Sequence, residues 1–111
     1  MNWIEITTAL QLADIKKQSK NKPQLIFKHS TRCSISGVAK NRLERSTPPG
    51  NIDCYFLDLI RHREISHKIA QDFSVFHESP QVLLIKNGEC VYDESHSGIN
   101  MNDIVEQAAA H

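Results

Sequence analysis

The sequence lacks the features that mark a membrane, secreted or nucleic-acid-binding protein. No apolar run approaches the roughly 20 residues that a membrane-spanning helix needs. The first residues, Met1-Asn2-Trp3-Ile4-Glu5, do not place an apolar stretch after a basic one, so no signal peptide is expected. Lysine plus arginine equals aspartate plus glutamate at 13 each, which leaves no excess positive charge for phosphates. We therefore expect a cytoplasmic protein that binds neither membranes nor nucleic acids.

Cysteine is scarce, and its spacing excludes two common uses. The three cysteines, Cys33, Cys54 and Cys90, form an odd and widely spaced set that suits neither a disulfide framework nor a zinc site. The six histidines also lack metal-ligand spacing, so we expect no metal. Because cytoplasmic thiols are kept reduced, the useful question is which cysteine is reactive.

The patterns that are present predict an α/β protein. The 111 residues, 40% of them apolar and without repeats or linkers, fit one domain over residues 1–111. Short apolar runs alternate with helical periodicities in the order β-α-β-α-β-α-β-β-α. We predict strands at 3–6, 24–28, 52–59, 81–85 and 89–93, and helices over 8–19, after Cys33, around 65–73 and after Asn100.

Four local signals support these elements. Thr8-Ala9-Leu10-Gln11 has capping-box spacing, and Asn87-Gly88 between two apolar runs predicts a hairpin. Ser79-Pro80 precedes the fourth strand, where a cis peptide bond is favoured over an ordinary edge-strand proline. In the second helix, an apolar face is predicted from Ile35, Val38, Ala39 and Leu43.

Cys33 is the candidate reactive thiol. It follows a polar loop and lies at the start of the second helix, where unpaired amides and the helix dipole stabilise an anion. Arg32, Lys28 and His29 would add positive charge and favour the thiolate. Local sequence alone fits a buried, unreactive cysteine equally well, since free cysteines are often core residues. Cys54 and Cys90 lie within predicted strands and are expected to be packing residues.

Ser36 occupies the position where a Cys-x-x-Cys motif carries its second thiol. A hydroxyl there cannot form an internal disulfide, and we expect Ser36→Ala to be tolerated, with at most the loss of a hydrogen bond to the Cys33 thiol. Cys33-Ser34-Ile35-Ser36 alone is a weak signal, and its place at a strand-to-helix junction strengthens it.

These elements and motifs together resemble the thioredoxin fold. The segment Phe27-Lys28-His29-Ser30-Thr31-Arg32-Cys33-Ser34-Ile35-Ser36 is more specifically similar to the YtxJ family, the monothiol bacilliredoxins of the bacillithiol system. That family typically has Cys-Pro-Ile-Ser after a His-Ser-Thr segment, and this chain has Ser34 where proline is usual.

The resemblance implies a central mixed sheet of order 1-3-2-4-5 with helices on both faces. One edge of that sheet would gather Cys33, Arg61-His62-Arg63, Ser79-Pro80 and Ser97-Gly98. The resemblance assigns Cys33 and Ser36 to catalysis, and it assigns substrate binding to Arg32, Ser79, Pro80 and Gly98. Arg61 and Arg63 fit an anionic thiol at this edge, but they fit solvated surface charges equally well.

The implied activity is a monothiol thiol–disulfide exchange that removes bacillithiol from protein mixed disulfides. Bacillithiol would act as a thiol co-substrate, its bacillithiolated client proteins would be the partners, and no cofactor would be tightly bound. One alternative is a monothiol glutaredoxin-like protein. The absence of the Cys-Gly-Phe-Ser motif that is usual in such proteins argues against it. The other is a redox sensor or adaptor whose Cys33 is modified but does not turn over.

Overall fold

The computed structural model describes residues 2–111 and has the predicted order of strands and helices. Most boundaries fall within two residues of the prediction, and one short 3₁₀ turn, η1, follows the last strand. No helix in the described part of the chain is long and apolar enough to cross a membrane. The elements are β1 (Ile4–Glu5), α1 (Leu10–Gln18), β2 (Gln24–His29), α2 (Ser34–Arg45), β3 (Asp53–Asp58), α3 (Arg63–Phe73), β4 (Gln81–Lys86), β5 (Glu89–Ser95), η1 (His96–Gly98) and α4 (Met101–Ala110).

The five strands form one mixed sheet in the order β1-β3-β2-β4-β5. β1 and β2 both pair with β3 in parallel, whereas β4 runs antiparallel to β2 and to β5. This confirms the predicted order and strand directions. The ends of β2, β3 and β5 and the start of β4 therefore lie at one edge of the sheet.

The helices cover both faces of the sheet, so the core has two layers. Leu25 and Phe27 of β2 pack into the cluster beneath α2 and α4, and Ile26 between them packs into the cluster beneath α1 and α3. Every residue of β2 is buried, as expected for a strand covered on both sides. Since side chains alternate along a strand, Lys28 and His29 at its end face opposite layers.

The predicted turn and cap at the C-terminal half of the chain are confirmed. Asn87 and Gly88 both have positive φ angles, of 54° and 78°, as a type I′ hairpin turn requires. The Asn100 side chain accepts a hydrogen bond from the Asp103 amide at 2.9 Å and so caps α4.

The start of α1 differs from the prediction. The helix begins at Leu10, and the Thr8 hydroxyl makes no capping bond to it. The Gln11 side chain instead reaches back, where its Oε1 accepts from the amides of Thr7 at 2.7 Å and Thr8 at 3.1 Å. Only the glutamine half of the predicted capping box is formed.

Candidate active site

Cys33 occupies the N-cap position of α2, directly after the end of β2. Its extended backbone (φ −110°, ψ 119°) precedes the helix, and its carbonyl accepts the first helical bond from the Gly37 amide at 3.1 Å. The side chain is half-buried and makes no capping hydrogen bond to the helix within residues 2–111. The free first-turn amides are therefore left to stabilise a sulfur anion, because a helix N-terminus has unpaired N–H donors and a positive dipole end.

Ser36 is fully buried, and its hydroxyl is engaged away from the thiol. Ser36 Oγ accepts from the Ser30 amide at 3.0 Å and lies 2.6 Å from His29 Nδ1. Burial, followed by the charge of Lys40, lowers the pKa of His29, so the imidazole is neutral at pH 7.

The Ser36 hydroxyl is therefore not a hydrogen-bond partner of the thiol. No hydrogen bond joins Cys33 to Ser36 within residues 2–111. Ser36 instead links the first turn of α2 to His29 and Ser30 at the end of β2. These contacts hold the free N–H groups of that turn in a fixed orientation.

The positive charges expected around Cys33 are largely absent. His29 is neutral, and Lys28 is buried on the other face of the sheet, where its Nζ donates to the Ser66 carbonyl of α3 at 3.3 Å. Arg32 remains exposed next to the thiol in sequence, and none of the ion pairs in the described chain involves it. Of the three predicted cations, Arg32 alone is exposed to solvent.

The loop before β4 has the predicted cis peptide bond between Ser79 and Pro80. The Pro80 carbonyl accepts from the His96 amide at 3.0 Å, so η1 is held against this loop. His96 Nε2 also lies 3.5 Å from Glu78 Oε2. The Ser79 hydroxyl is buried and has no hydrogen-bond partner among the residues that the structure describes.

Gly98 and Arg42 shape the connection that follows β5. A Cβ at Gly98 would lie 2.6 Å from Cδ of Glu94, so the glycine leaves room for that carboxylate. Arg42 of α2 donates from Nη1 to the carbonyls of Ser97 and Ile99, both at 3.1 Å. The sequence predicted Gly98 as a substrate-binding residue and gave Arg42 no role at the site, because a link to residues 55 and 57 positions away leaves no local signal.

The predicted apolar face of α2 is wrong at two positions. Ile35 and Val38 are 56% and 58% exposed, whereas Ser36, Ala39 and Leu43 face the sheet. The helix is rotated so that Ser36 faces the sheet, where its hydroxyl hydrogen-bonds His29 and the Ser30 amide. Between α2 and η1 this leaves an apolar hollow of about 120 Å³ whose walls are Ile35, Val38, Ala39, Arg42, His96 and Ser97.

Arg61-His62-Arg63 lies at the predicted edge of the sheet but faces a different hollow. The segment lines a cavity of about 640 Å³ together with Thr7, Thr8 and Ala9 at the start of α1. None of Cys33, Ser79 or Ser97 is among its wall residues. Arg61 and Arg63 thus line a hollow on the side of the sheet that α1 and α3 cover, and the thiol is not part of its wall.

Cys54 and Cys90 differ from Cys33 in environment. Both are free thiols like Cys33, and they pack against opposite layers of the core. Burial, with the nearby carboxylates Asp53 and Asp93, raises the pKa of each thiol to about 11. Both are thus protonated at neutral pH, as expected of packing residues, and a thiol is a far weaker nucleophile than a thiolate.

Comparison with known proteins connects this chain to a family of thiol proteins. Residues 4–104 match the family model described as "Monothiol bacilliredoxin BrxC". A solved structure described as a putative oxidoreductase with a thioredoxin fold is 30% identical, with a TM-score of 0.81 over 94% of this chain and 91% of that one.

More distant structures share the fold. Thioredoxin from Fasciola hepatica is 18% identical, with a TM-score of 0.74 over 96% of this chain and 97% of that one. Thioredoxin from Trypanosoma brucei brucei is 11% identical, with a TM-score of 0.75 over 98% and 88% of the two chains.

Proposed function

The chain belongs to the monothiol bacilliredoxin family, and from that premise we propose that it removes bacillithiol from protein mixed disulfides through Cys33. Membership makes it a thiol redox protein of the thioredoxin fold. The observation that carries the specific proposal is the half-buried Cys33 at the N-cap of α2, with a buried hydroxyl instead of a second thiol at position 36.

The first step is an exchange at the mixed disulfide. The Cys33 thiolate attacks the bacillithiol sulfur, the bond between that sulfur and the client sulfur breaks, and the client leaves as a thiolate that takes a proton from water. Cys33 is then joined to bacillithiol. Free first-turn amides of α2 stabilise the attacking anion, and Arg32 is the charged side chain placed to attract the carboxylates of bacillithiol.

The second step requires a thiol from outside the chain. Ser36 has no sulfur, and Cys54 and Cys90 are protonated packing residues on β3 and β5, which are not neighbours in the sheet. A second bacillithiol therefore attacks the sulfur that Cys33 holds, giving bacillithiol disulfide and a free Cys33 thiolate. A cycle of this kind consumes two electrons from the thiol pool for each client released.

The apolar hollow between α2 and η1 supports a protein rather than a small disulfide as the substrate. Ile35 and Val38 present exposed apolar surface within one and two turns of the thiol. Such surface favours contact with an apolar side chain of the client that flanks its modified cysteine. Arg42 and His96 at the rim supply polar contacts for the client backbone.

Incubation of the reduced protein with a bacillithiolated client and excess bacillithiol tests the proposal. We expect many client molecules to be released per Cys33, and we expect Cys33→Ser to abolish release. Cys54→Ser and Cys90→Ser serve as matched controls and should keep turnover, since neither thiol takes part.

Three outcomes would contradict the proposal. Release of no more than one client per protein would identify a sensor that is modified without turning over. Activity in Cys33→Ser would assign the chemistry to another cysteine. Turnover with glutathione that equals turnover with bacillithiol under matched conditions would remove the bacillithiol specificity.

A further inference from the structure

Lys28 is a buried cation without an anionic partner. Lys28 is 0% exposed, yet in the described part of the chain its Nζ contacts two neutral groups alone, the Ser66 carbonyl and His77 Nδ1, both at 3.3 Å. None of the ion pairs among residues 2–111 includes it. Burial lowers the pKa of Lys28 to about 8, so the amine still carries its charge at neutral pH. A buried charge is costly unless an opposite charge compensates it, so the environment of Lys28 needs an anion.

A small hollow lies next to this amine, under α3 and beside the loop before β4. Its volume is about 130 Å³, and it is lined by Leu59, Arg63, Ser66, His67 and His77. Both residues that bond to Lys28 are among these wall residues. The wall contains one arginine, two histidines and no acidic side chain. Glu78, the acidic residue next to His77, lies 3.5 Å from His96 Nε2, and its charge partly offsets the lowering of the His77 pKa.

The contacts of Lys28 also fix the proton on His77. Because Nδ1 accepts from the Lys28 ammonium, the ring proton must be on Nε2, which is left as a donor. The Ser66 hydroxyl lies 3.2 Å from the same Nδ1 and holds the ring further. Burial, with the charges of Lys28 and His67, lowers the pKa of His77, so the ring is a neutral donor at pH 7.

We propose that this hollow binds a small oxyanion, a phosphate or carboxylate group. Arg63 and the Nε2–H of His77 would donate to its oxygens, and the charge of Lys28 would hold it from below. The site is separate from the thiol, since His29 and Ser36 lie on the other face of the sheet. His77 stands three residues before Pro80, so an anion held here restrains the segment that leads to the cis-proline loop.

Titration of the ¹⁵N-labelled protein tests the site, with inorganic phosphate and malate as separate probes and chloride to match the ionic strength. We expect saturable shifts of the amides near Arg63, His67 and His77. Arg63→Gln should weaken binding about tenfold, because a charge-assisted hydrogen bond is lost. Arg61→Gln is the matched control. Arg61 lines the cavity of about 640 Å³ and not the small hollow, so the affinity of this variant for the anion should be unchanged.

Variants of the two inner residues complete the test. Lys28→Met should abolish saturation, and His77→Phe should do so even if Lys28→Met fails to fold. A tighter affinity for malate than for phosphate would identify a carboxylate ligand, and the reverse would identify phosphate. Shifts with neither probe beyond those of chloride, or equal losses in Arg61→Gln and Arg63→Gln, would overturn the proposal. These readouts do not involve Cys33, so they are independent of the exchange activity.

Discussion

Two adjacent residues at the end of β2, Lys28 and His29, face opposite sides of the sheet and contact different helices. His29 faces α2, lies at a tilt to the rings of Phe27 and Phe56, and hydrogen-bonds Ser36. Lys28 turns toward α3 and holds His77. Both side chains are polar and buried, and each secures an element that flanks the edge where the thiol lies. One anchors the helix that carries Cys33, and the other anchors the segment that leads to Pro80.

Removal of the Ser36 hydroxyl should lower stability. Ser36→Ala leaves the Ser30 amide and His29 Nδ1 buried without partners, which costs about 1–3 kcal/mol. Urea denaturation at pH 7 measures the loss of unfolding free energy. Ser34→Ala is the control, because Ser34 is exposed and its change should stay within about 0.5 kcal/mol. Equal losses in the two variants would mean that the hydroxyl does not hold the helix.

Helix α2 is built to begin at Ser34, where the related family usually has proline. Ser34 is the first helical residue, so its amide has no carbonyl partner within the helix, and the backbone hydrogen bonds at this turn do not use it. Cys33 before it has the extended conformation that a residue preceding proline adopts. The backbone is therefore ready for proline at this position.

Ser34→Pro should stabilise the protein by about 0.4–1 kcal/mol, since proline restricts the unfolded chain and fits the first helical position. Thermal unfolding of the reduced protein measures the effect. Gly37→Pro is the control and should destabilise strongly, because the Gly37 amide donates to the Cys33 carbonyl. A loss of stability in Ser34→Pro would show that the first turn of α2 departs from the geometry described.

For the molecule as a whole, the sequence predicts the sheet better than the site. The apolar runs and the Asn87-Gly88 turn were sufficient for the elements, and the family resemblance supplied the strand order. The register of α2 was missed because a hydrophobicity pattern places Ser36 outward, and only its contacts with His29 and Ser30 turn it inward. The burial of Lys28 was missed for a similar reason, since its partners lie 38 and 49 residues away. Buried polar groups are determined by distant partners that no local pattern reveals.

Lys28 and the thiols of Cys54 and Cys90 have opposite effects on the free energy of unfolding as the pH rises above about 8. The pKa of Lys28 is about 8 in the folded protein against an ordinary 10.5, so between these values the unfolded chain binds more protons and stability rises with pH. Cys54 and Cys90 have the opposite sign. Their pKa values are about 11 against an ordinary 9.0, so the folded protein binds more protons in that interval and stability falls. Where the two pH intervals overlap, the effect of the two thiols is larger than that of the one amine, so stability falls.

The free energy of unfolding should therefore rise from about pH 8 to about pH 9 and then decline. Urea denaturation across this range, with reductant and without phosphate, measures the profile. Lys28→Met should lose the rise and keep the decline, whereas Lys20→Met, at an exposed position, should keep both. Replacement of Cys54 and Cys90 by alanine should remove most of the decline, because the thiolates that form in the unfolded chain are then absent. A wild-type profile that matches that of Lys28→Met from pH 8 to pH 9 would show that Lys28 is not a buried cation, and it would also remove the reason for an anion beside His77.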